Sequence, residues 1–212
     1  YFGQEMLKTR KETYKGKRVA LSGFGNVAWG AATKLEELGA KVVTISGPDG
    51  YIYDEDGISG EKIEYLLELR ASNEDIVEPF AEEFKSAVFV ANKRPWEVKC
   101  DLAMPCATQN ELDEGDAKNL IKNGCVGICE GANMPCTPEA IELIQGNKLL
   151  FAPGKAANAG GVATSGLEMT QNAMKLNWPK EEVDNRLNTI MKAIHETCMR
   201  YGKNPDGYID YV

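Results

Sequence analysis

Short apolar runs and helical periodicity alternate along the chain. Compact apolar or β-branched runs bounded by turn residues predict strands at residues 17–21, 42–45, 87–90, 101–104, 125–129 and 149–152. Between them, apolar positions spaced three or four apart predict helices over 2–12, 26–38, 61–69, 76–84, 116–122 and 138–145. In the second of these, Val27, Ala31 and Leu35 mark the apolar face and Gly39 supplies the stop. The cluster Gly47-Pro48-Asp49-Gly50 reads as a breaker, and Pro138 fits a first helical turn. After the last strand a glycine-rich turn, 153–161, leads into two long helices, about 162–176 and 180–200. Strand–helix alternation of this kind implies an α/β fold with a doubly wound, mostly parallel sheet and long C-terminal helices. No internal repeat, low-complexity tract or linker interrupts it, so residues 1–212 are expected to form one domain.

Composition narrows the class. The chain has 212 residues, with 24 Lys and Arg against 32 Asp and Glu, a formal net charge of −8. A chain of this length can bury about 70 % of its unfolded surface and needs no staples to fold. No stretch approaches the length of apolar residues that spans a bilayer, and no leader-like segment precedes Lys8. The acidic balance, without a cluster of Lys or Arg, argues against nucleic acid as a partner. The six cysteines form no C-x-x-C pair, and His195 is the single histidine, so a metal site is not expected. Free cysteines buried as small hydrophobes fit better and point to a reducing, cytoplasmic setting. The chain starts at Tyr1 on an amphipathic segment and stops at Tyr211-Val212 after a turn-like Asn204-Pro205-Asp206-Gly207. Both ends read as cut, and a fragment of a longer polypeptide is expected.

The sharpest local signal is Gly23-Phe24-Gly25-Asn26-Val27-Ala28, between a predicted strand and a predicted helix. This context marks the G-x-G-x-x-G/A fingerprint of a Rossmann-like dinucleotide-binding domain. The first glycine permits the tight turn, the second lets backbone approach a pyrophosphate, and Ala28 is small enough for close helix–strand packing. The helix N-terminus beyond supplies N–H groups for the phosphates. The alternative is a glycine turn with no ligand. At the end of the second strand, where a carboxylate usually holds the ribose of NAD, the expected acidic position falls on or near Gly47. Asp49 lies two residues on, and no Lys or Arg falls within 46–56, so the local charge favours NAD over NADP.

Three further segments follow predicted strands at the edge where open α/β sheets bind ligands. They are Met104-Pro105-Cys106-Ala107-Thr108-Gln109-Asn110, Glu130-Gly131-Ala132-Asn133-Met134-Pro135 and the turn 153–161. Through these runs the whole chain resembles the coenzyme-binding domain of the hexameric bacterial-type glutamate dehydrogenases. The resemblance implies that Gly23, Phe24, Gly25, Asn26 and Val27 line the pyrophosphate, with Ser46, Gly47 and Asp49 near the adenosine ribose. It places Thr108, Asn133 and Asn158 on the nicotinamide side, and Val162 and Ser165, three apart on one helix face, at the glutamate. The Ser165 hydroxyl would donate to the substrate's side-chain carboxylate; the competing reading is that it bonds a backbone carbonyl of its own helix. Ser-Gly-Pro-Asp-Gly at 46–50 resembles the NAD-preferring members, as does the acidic stretch Asn73-Glu74-Asp75, while dual-specific members keep NADP within reach.

The resemblance implies reversible oxidation of L-glutamate to 2-oxoglutarate and ammonia. It also implies that the catalytic lysine and aspartate belong to an N-terminal domain with no counterpart here, and that a closing C-terminal helix lies beyond Val212. This chain is then expected to bind cofactor without turnover and to carry no catalytic residue. The whole protein would be a hexamer assembled mainly through the missing domain, which leaves the fragment free to be a monomer. Two other readings stay open: a dehydrogenase of an apolar amino acid, which Ser165 disfavours, and a noncatalytic nucleotide-sensing module. Cys106 reads equally as a packed thiol or a neighbour of the cofactor. Lys155 reads as a surface group or a phosphate contact, His195 as structural, and Trp29, Trp96 and Trp178 as core or interface.

Overall fold

The computed structural model describes residues 1–72 and 75–212; Asn73 and Glu74 of the acidic stretch lie outside them. Among the described residues seven strands form a sheet: β1 (Arg18–Leu21), β2 (Lys41–Ser46), β3 (Gly50–Asp54), β4 (Ala87–Ala91), β5 (Leu102–Met104), β6 (Gly127–Cys129) and β7 (Leu150–Ala152). Their spatial order is β4-β3-β2-β1-β5-β6-β7. Strands β2, β1, β5, β6 and β7 pair in parallel, and β3 runs antiparallel to both β2 and β4. The fold is therefore α/β with a doubly wound, mostly parallel sheet.

Side chains alternate between the faces of a strand, and the two cores follow that alternation. Val19, Leu21, Leu102, Met104, Leu150 and Ala152 belong to one buried cluster, and Ala20, Ala103, Ile128 and Phe151 to the other. The first face is covered by α1 (Phe2–Lys8), α2 (Asn26–Glu37), α3 (Glu61–Ala71), α4 (Glu78–Glu83) and α9 (Lys180–Gly202); the second by α5 (Glu114–Lys122) and α6 (Pro138–Gly146) with the fully buried Trp96. Two short amphipathic helices start on side-chain caps. The Asp113 carboxylate accepts from Asp116 N in a reciprocal capping box on α5, and Thr137 Oγ1 accepts from Ala140 N on α6. The remaining helices are α7 (Gly154–Ala157) and α8 (Ala159–Met174). Among the described residues no helix is long and apolar enough to cross a membrane.

Several expectations need correction. The first helix ends at Lys8, four residues early, because the chain turns at Lys11, which has a left-handed φ of 59°. The breaker cluster after β2 does not open a loop but closes a hairpin: Gly47 N bonds Gly50 O at 2.8 Å, and β3 returns beside β2 with Ser46 opposite Tyr51. The turn after β7 winds into α7, so α8 begins at Ala159 and Gly160 and Gly161 lie inside its first turn instead of before it.

Candidate functional site

Strand β1 neighbours β2 on one side and β5 on the other, so the chain switches direction across the sheet at the end of β1. Such a switch point opens the crevice where open α/β sheets take ligands. The register of β1 on β2 shifts between Val19 and Ala20, and the Thr44 hydroxyl fills the gap by accepting from Leu21 N and donating to Leu21 O, both at 2.9 Å. Two residues on, Ser46 Oγ accepts from Gly23 N at 2.9 Å. Strand β2 thus holds the turn that leaves β1.

Gly23 is held in that turn by necessity. Its φ is +96°, and a Cβ there would lie 2.6 Å from the carbonyl oxygen of Cys106. Gly25 caps α2 and faces open space, with nothing within 4 Å of where its Cβ would be. Among the described residues no side chain caps α2, and its first turn holds no acidic residue, so the N–H groups of Asn26, Val27 and Ala28, ahead of the first helical bond from Trp29 N to Gly25 O, have no partner within the helix. Unmatched N–H groups and the positive end of the helix dipole suit a phosphate. Asn26 and Val27 are exposed at this opening, while Phe24 is buried against Trp29, with ring centroids 5.5 Å apart.

The residues expected on the ribose side sit around the β2–β3 turn. Ser46 is buried and committed to Gly23. The Asp49 carboxylate accepts from Val77 N and Glu78 N at 2.9–3.1 Å, so it caps α4 from across the turn. A Cβ on Gly47 would collide with that carboxylate, at 2.6 Å. A basic group not anticipated from the local sequence also lies here: the Arg70 guanidinium stands over the Phe24 ring, 5.6 Å from its centroid, and pairs with Asp75.

Two buried carboxylates organise the loops beyond β5 and β6. Glu111 Oε1 accepts from Ala107 N at 2.8 Å and from Thr108 N at 3.3 Å. Its carboxyl lies above its usual range because burial penalises the charge, an effect opposed by hydrogen bonds from Ser22, Ala107 and Thr108. Ser22 Oγ in turn accepts from Cys106 N at 2.9 Å, which locks the β5 loop to the end of β1. Glu130 accepts from Cys136 N at 3.2 Å and from Gly154 N at 2.6 Å, tying the β6 loop to the start of α7. Asn158 Nδ2 donates to Ala132 O at 3.2 Å. A Cβ on Gly131 would run into Cys106 Sγ and lie 3.3 Å from Val27 Cγ1, so the α2 start and both loops meet at one point. Cys106 is buried there, and that burial pushes its thiol far above the ordinary range.

Thr108 and Asn133 are exposed at the rim of the same opening. Val162 and Ser165 lie on the exposed flank of α8; among the described residues Ser165 makes no bond within its helix, whereas Thr164 Oγ1 donates to Gly160 O at 2.8 Å. Lys155 is exposed, and His195 is buried beside the Tyr211 hydroxyl at 3.2 Å. Among the described residues no group of three His, Cys, Asp or Glu side chains is placed to hold a metal ion.

Residues 1–210 match the family described as Glutamate/Leucine/Phenylalanine/Valine dehydrogenase. The chain belongs to that family. It is 66 % identical over 212 residues to the NAD-specific glutamate dehydrogenase of Bacteroides fragilis, covering 100 % of this chain and 48 % of that protein. It is 52 % identical over 202 residues to the NADP-specific glutamate dehydrogenase of Haemophilus influenzae, covering 95 % of this chain and 45 % of that one. The crystal structure of Plasmodium falciparum glutamate dehydrogenase superimposes with a TM-score of 0.95 at 41 % identity, over 100 % of this chain and 45 % of that one. The chain thus spans about half the length of the Glutamate/Leucine/Phenylalanine/Valine dehydrogenases it matches. Within this family fold, Arg70, Glu111 and Glu130 are residues that sequence reading missed; for the two glutamates the available signal was a charged residue inside an otherwise short-polar or glycine-rich run.

Proposed function

We propose that this chain is the dinucleotide-binding domain, residues 1–212, of a glutamate dehydrogenase, which interconverts L-glutamate with 2-oxoglutarate and ammonia. The observation that carries the reading is the uncapped α2 N-terminus beside Gly25, at the switch point of the sheet. There the N–H groups of Asn26, Val27 and Ala28 receive the pyrophosphate, and Gly23 keeps the approach clear. Thr108, Asn133 and Asn158 then border the nicotinamide end, with Asn158 held in place by its bond to Ala132 O. When bound, the nicotinamide ring exchanges the hydride; the chain's own part is to place that ring and keep water from it. Val162 and Ser165 offer the substrate an apolar contact and a hydroxyl not engaged in its own helix, which favours glutamate over an apolar amino acid. The proton-transferring groups come from the other half of the protein.

The proposed preference is for NAD. Arg70 is paired with Asp75, the Asp49 side chain stands beside Gly47, and neither arrangement welcomes a 2′-phosphate. The whole protein is proposed to be a cytoplasmic homohexamer. Paired calorimetric titrations with NADH and NADPH at one ionic strength test the cofactor reading. Tighter NADH binding is expected; equal or tighter NADPH binding overturns the preference, and binding of neither by a folded protein overturns the site. Glutamate-dependent NADH production is expected only from the full-length protein, and turnover by the isolated 212 residues would refute the division of labour.

A further inference from the structure

The opposite edge of the sheet holds a feature unconnected with the cofactor opening. Strands β5 and β6 pair in parallel with Leu102 opposite Gly127 and Ala103 opposite Ile128. Two residues ahead of these pairs stand Cys100 and Cys125, at the amino ends of both strands; both lie in the core cluster of Ala103 and Ile128, across the sheet from Leu102, so the chain leaves the regular pleat there. Val126 N donates to Asp101 O at 2.8 Å, so the pairing does persist beyond the strands. Neighbouring strands lie about 4.8 Å apart, inside the Cα separation that a disulfide spans. Both cysteines belong to the core cluster around Trp96 and Ile128, at 4 % and 5 % exposure, with the exposed Lys99 and Gly124 beside them. The two thiols lie beside each other, and Cys125 Sγ donates to Gly127 O at 3.2 Å.

We propose that Cys100 and Cys125 form a reversible disulfide when a small hydroperoxide reaches them, locking the segment between β5 and β6. The Cys125 sulfur, as thiolate, attacks one peroxide oxygen; the O–O bond breaks, water leaves and a sulfenic acid remains on Cys125. The Cys100 sulfur attacks that sulfur, the S–S bond forms, and a second water leaves with the Cys100 proton. Two thiols lose two electrons and two protons, and one hydrogen peroxide is reduced to two waters. The Cys100 thiol beside it lowers the Cys125 thiol below its ordinary value, which prepares Cys125 as the attacking sulfur. Burial makes the reaction slow and admits only small oxidants. The cross-link closes the loop that carries Thr108 and Glu111, yet lies at the end of the strands away from them.

The test exposes the native full-length protein to hydrogen peroxide, blocks remaining thiols with N-ethylmaleimide, and maps the cysteines by mass spectrometry. Cleavage before Asp101 separates Cys100 from Cys106, and fragment ions distinguish Cys125 from Cys129 and Cys136. The expected result is a Cys100–Cys125 link with loss of two hydrogens and an unchanged circular dichroism spectrum. The melting temperature should rise by about 5–10 °C, and dithiothreitol should reverse the rise. Cys100→Ser and Cys125→Ser should each abolish the shift, and Cys198→Ser should retain it. Should a serine variant fail to fold, the mass measurement on the unmutated protein decides alone. Recovery of both cysteines as thiols, their linkage to other cysteines, or a link formed only in denaturant overturns the proposal.

Discussion

Helix α2 leaves a glycine turn directly after β1, whereas α8 follows the short α7 after β7, and the two are held in opposite ways. Helix α2 buries Ala28, Trp29, Ala32 and Leu35 against the sheet and offers only its end. Helix α8 has no buried residue, packs mainly along α9, and offers a whole flank, on which Val162 is 74 % and Met169 70 % exposed. Burying one large apolar side chain contributes about 1.5–3 kcal/mol, so the fold fixes α2 firmly and leaves α8 to be fixed by whatever covers it. A phosphate-binding helix end has to be rigid before its ligand arrives. A helix flank that meets a substrate can be completed by a second surface.

Substitutions can break this contrast or sharpen it. The largest effect is expected from Gly23→Ala, which forces a methyl against the Cys106 carbonyl at a left-handed φ. A cost of about 3 kcal/mol in urea denaturation and loss of NADH binding are expected; a cost below about 1 kcal/mol would mean that the turn before α2 yields and its end is not rigid. Glu130→Ala comes next. It strips the acceptor from the buried Gly154 and Cys136 N–H groups and should cost about 2 kcal/mol. That change loosens the path into α8 without touching α2, so chemical denaturation should show it while the Phe24–Trp29 fluorescence environment stays native.

A smaller effect is read through pH. Burial lowers His195 below its ordinary 6.5, with Glu5 and Glu196 opposing and Lys8 assisting. The unfolded chain therefore binds the proton first as pH falls, so stability is lost on going down through about pH 6.5 and is flat above it. His195→Gln should flatten that acid slope in thermal melts between pH 7 and 5; an unchanged slope would assign it to other groups. The smallest effect is expected from Met169→Gln on the open flank of α8, within about 0.5 kcal/mol. A loss above about 1 kcal/mol would show that the flank is packed and would end the contrast.

Much of this organisation was legible in the residue pattern, for identifiable reasons. Apolar runs at 17–21, 42–45 and 149–152 end in residues that break strands, so β1, β2 and β7 stand where expected. Strand β3 escaped because Gly47-Pro48-Asp49-Gly50 reads as a breaker whether the chain wanders off or doubles back, and only the pairing of Ser46 with Tyr51 decides. The glycine fingerprint was legible because its geometry is local. Glu111 and Glu130 were not, since a buried carboxylate looks like a surface one until the loop folds back to aim N–H groups at it: Ala107 and Thr108 at Glu111, and Cys136 with the distant Gly154 at Glu130. Asp49 was legible as a charge, but its capping of α4 depends on Val77 and Glu78 arriving beside it.

That cap sets how the proposed ribose pocket responds to its medium. Dissolved salt weakens ion pairs across a Debye length of about 10 Å at 0.1 M, yet Asp49 is bound to two amide groups instead of a mobile lysine. Among the described residues no ion pair holds that carboxylate, so added salt leaves it in place while the exposed Arg70–Asp75 pair beside it weakens. Choice between two nicotinamide dinucleotides then keeps its shape component in a concentrated solution and loses part of its charge component, because screening also weakens the repulsion between a carboxylate and a 2′-phosphate.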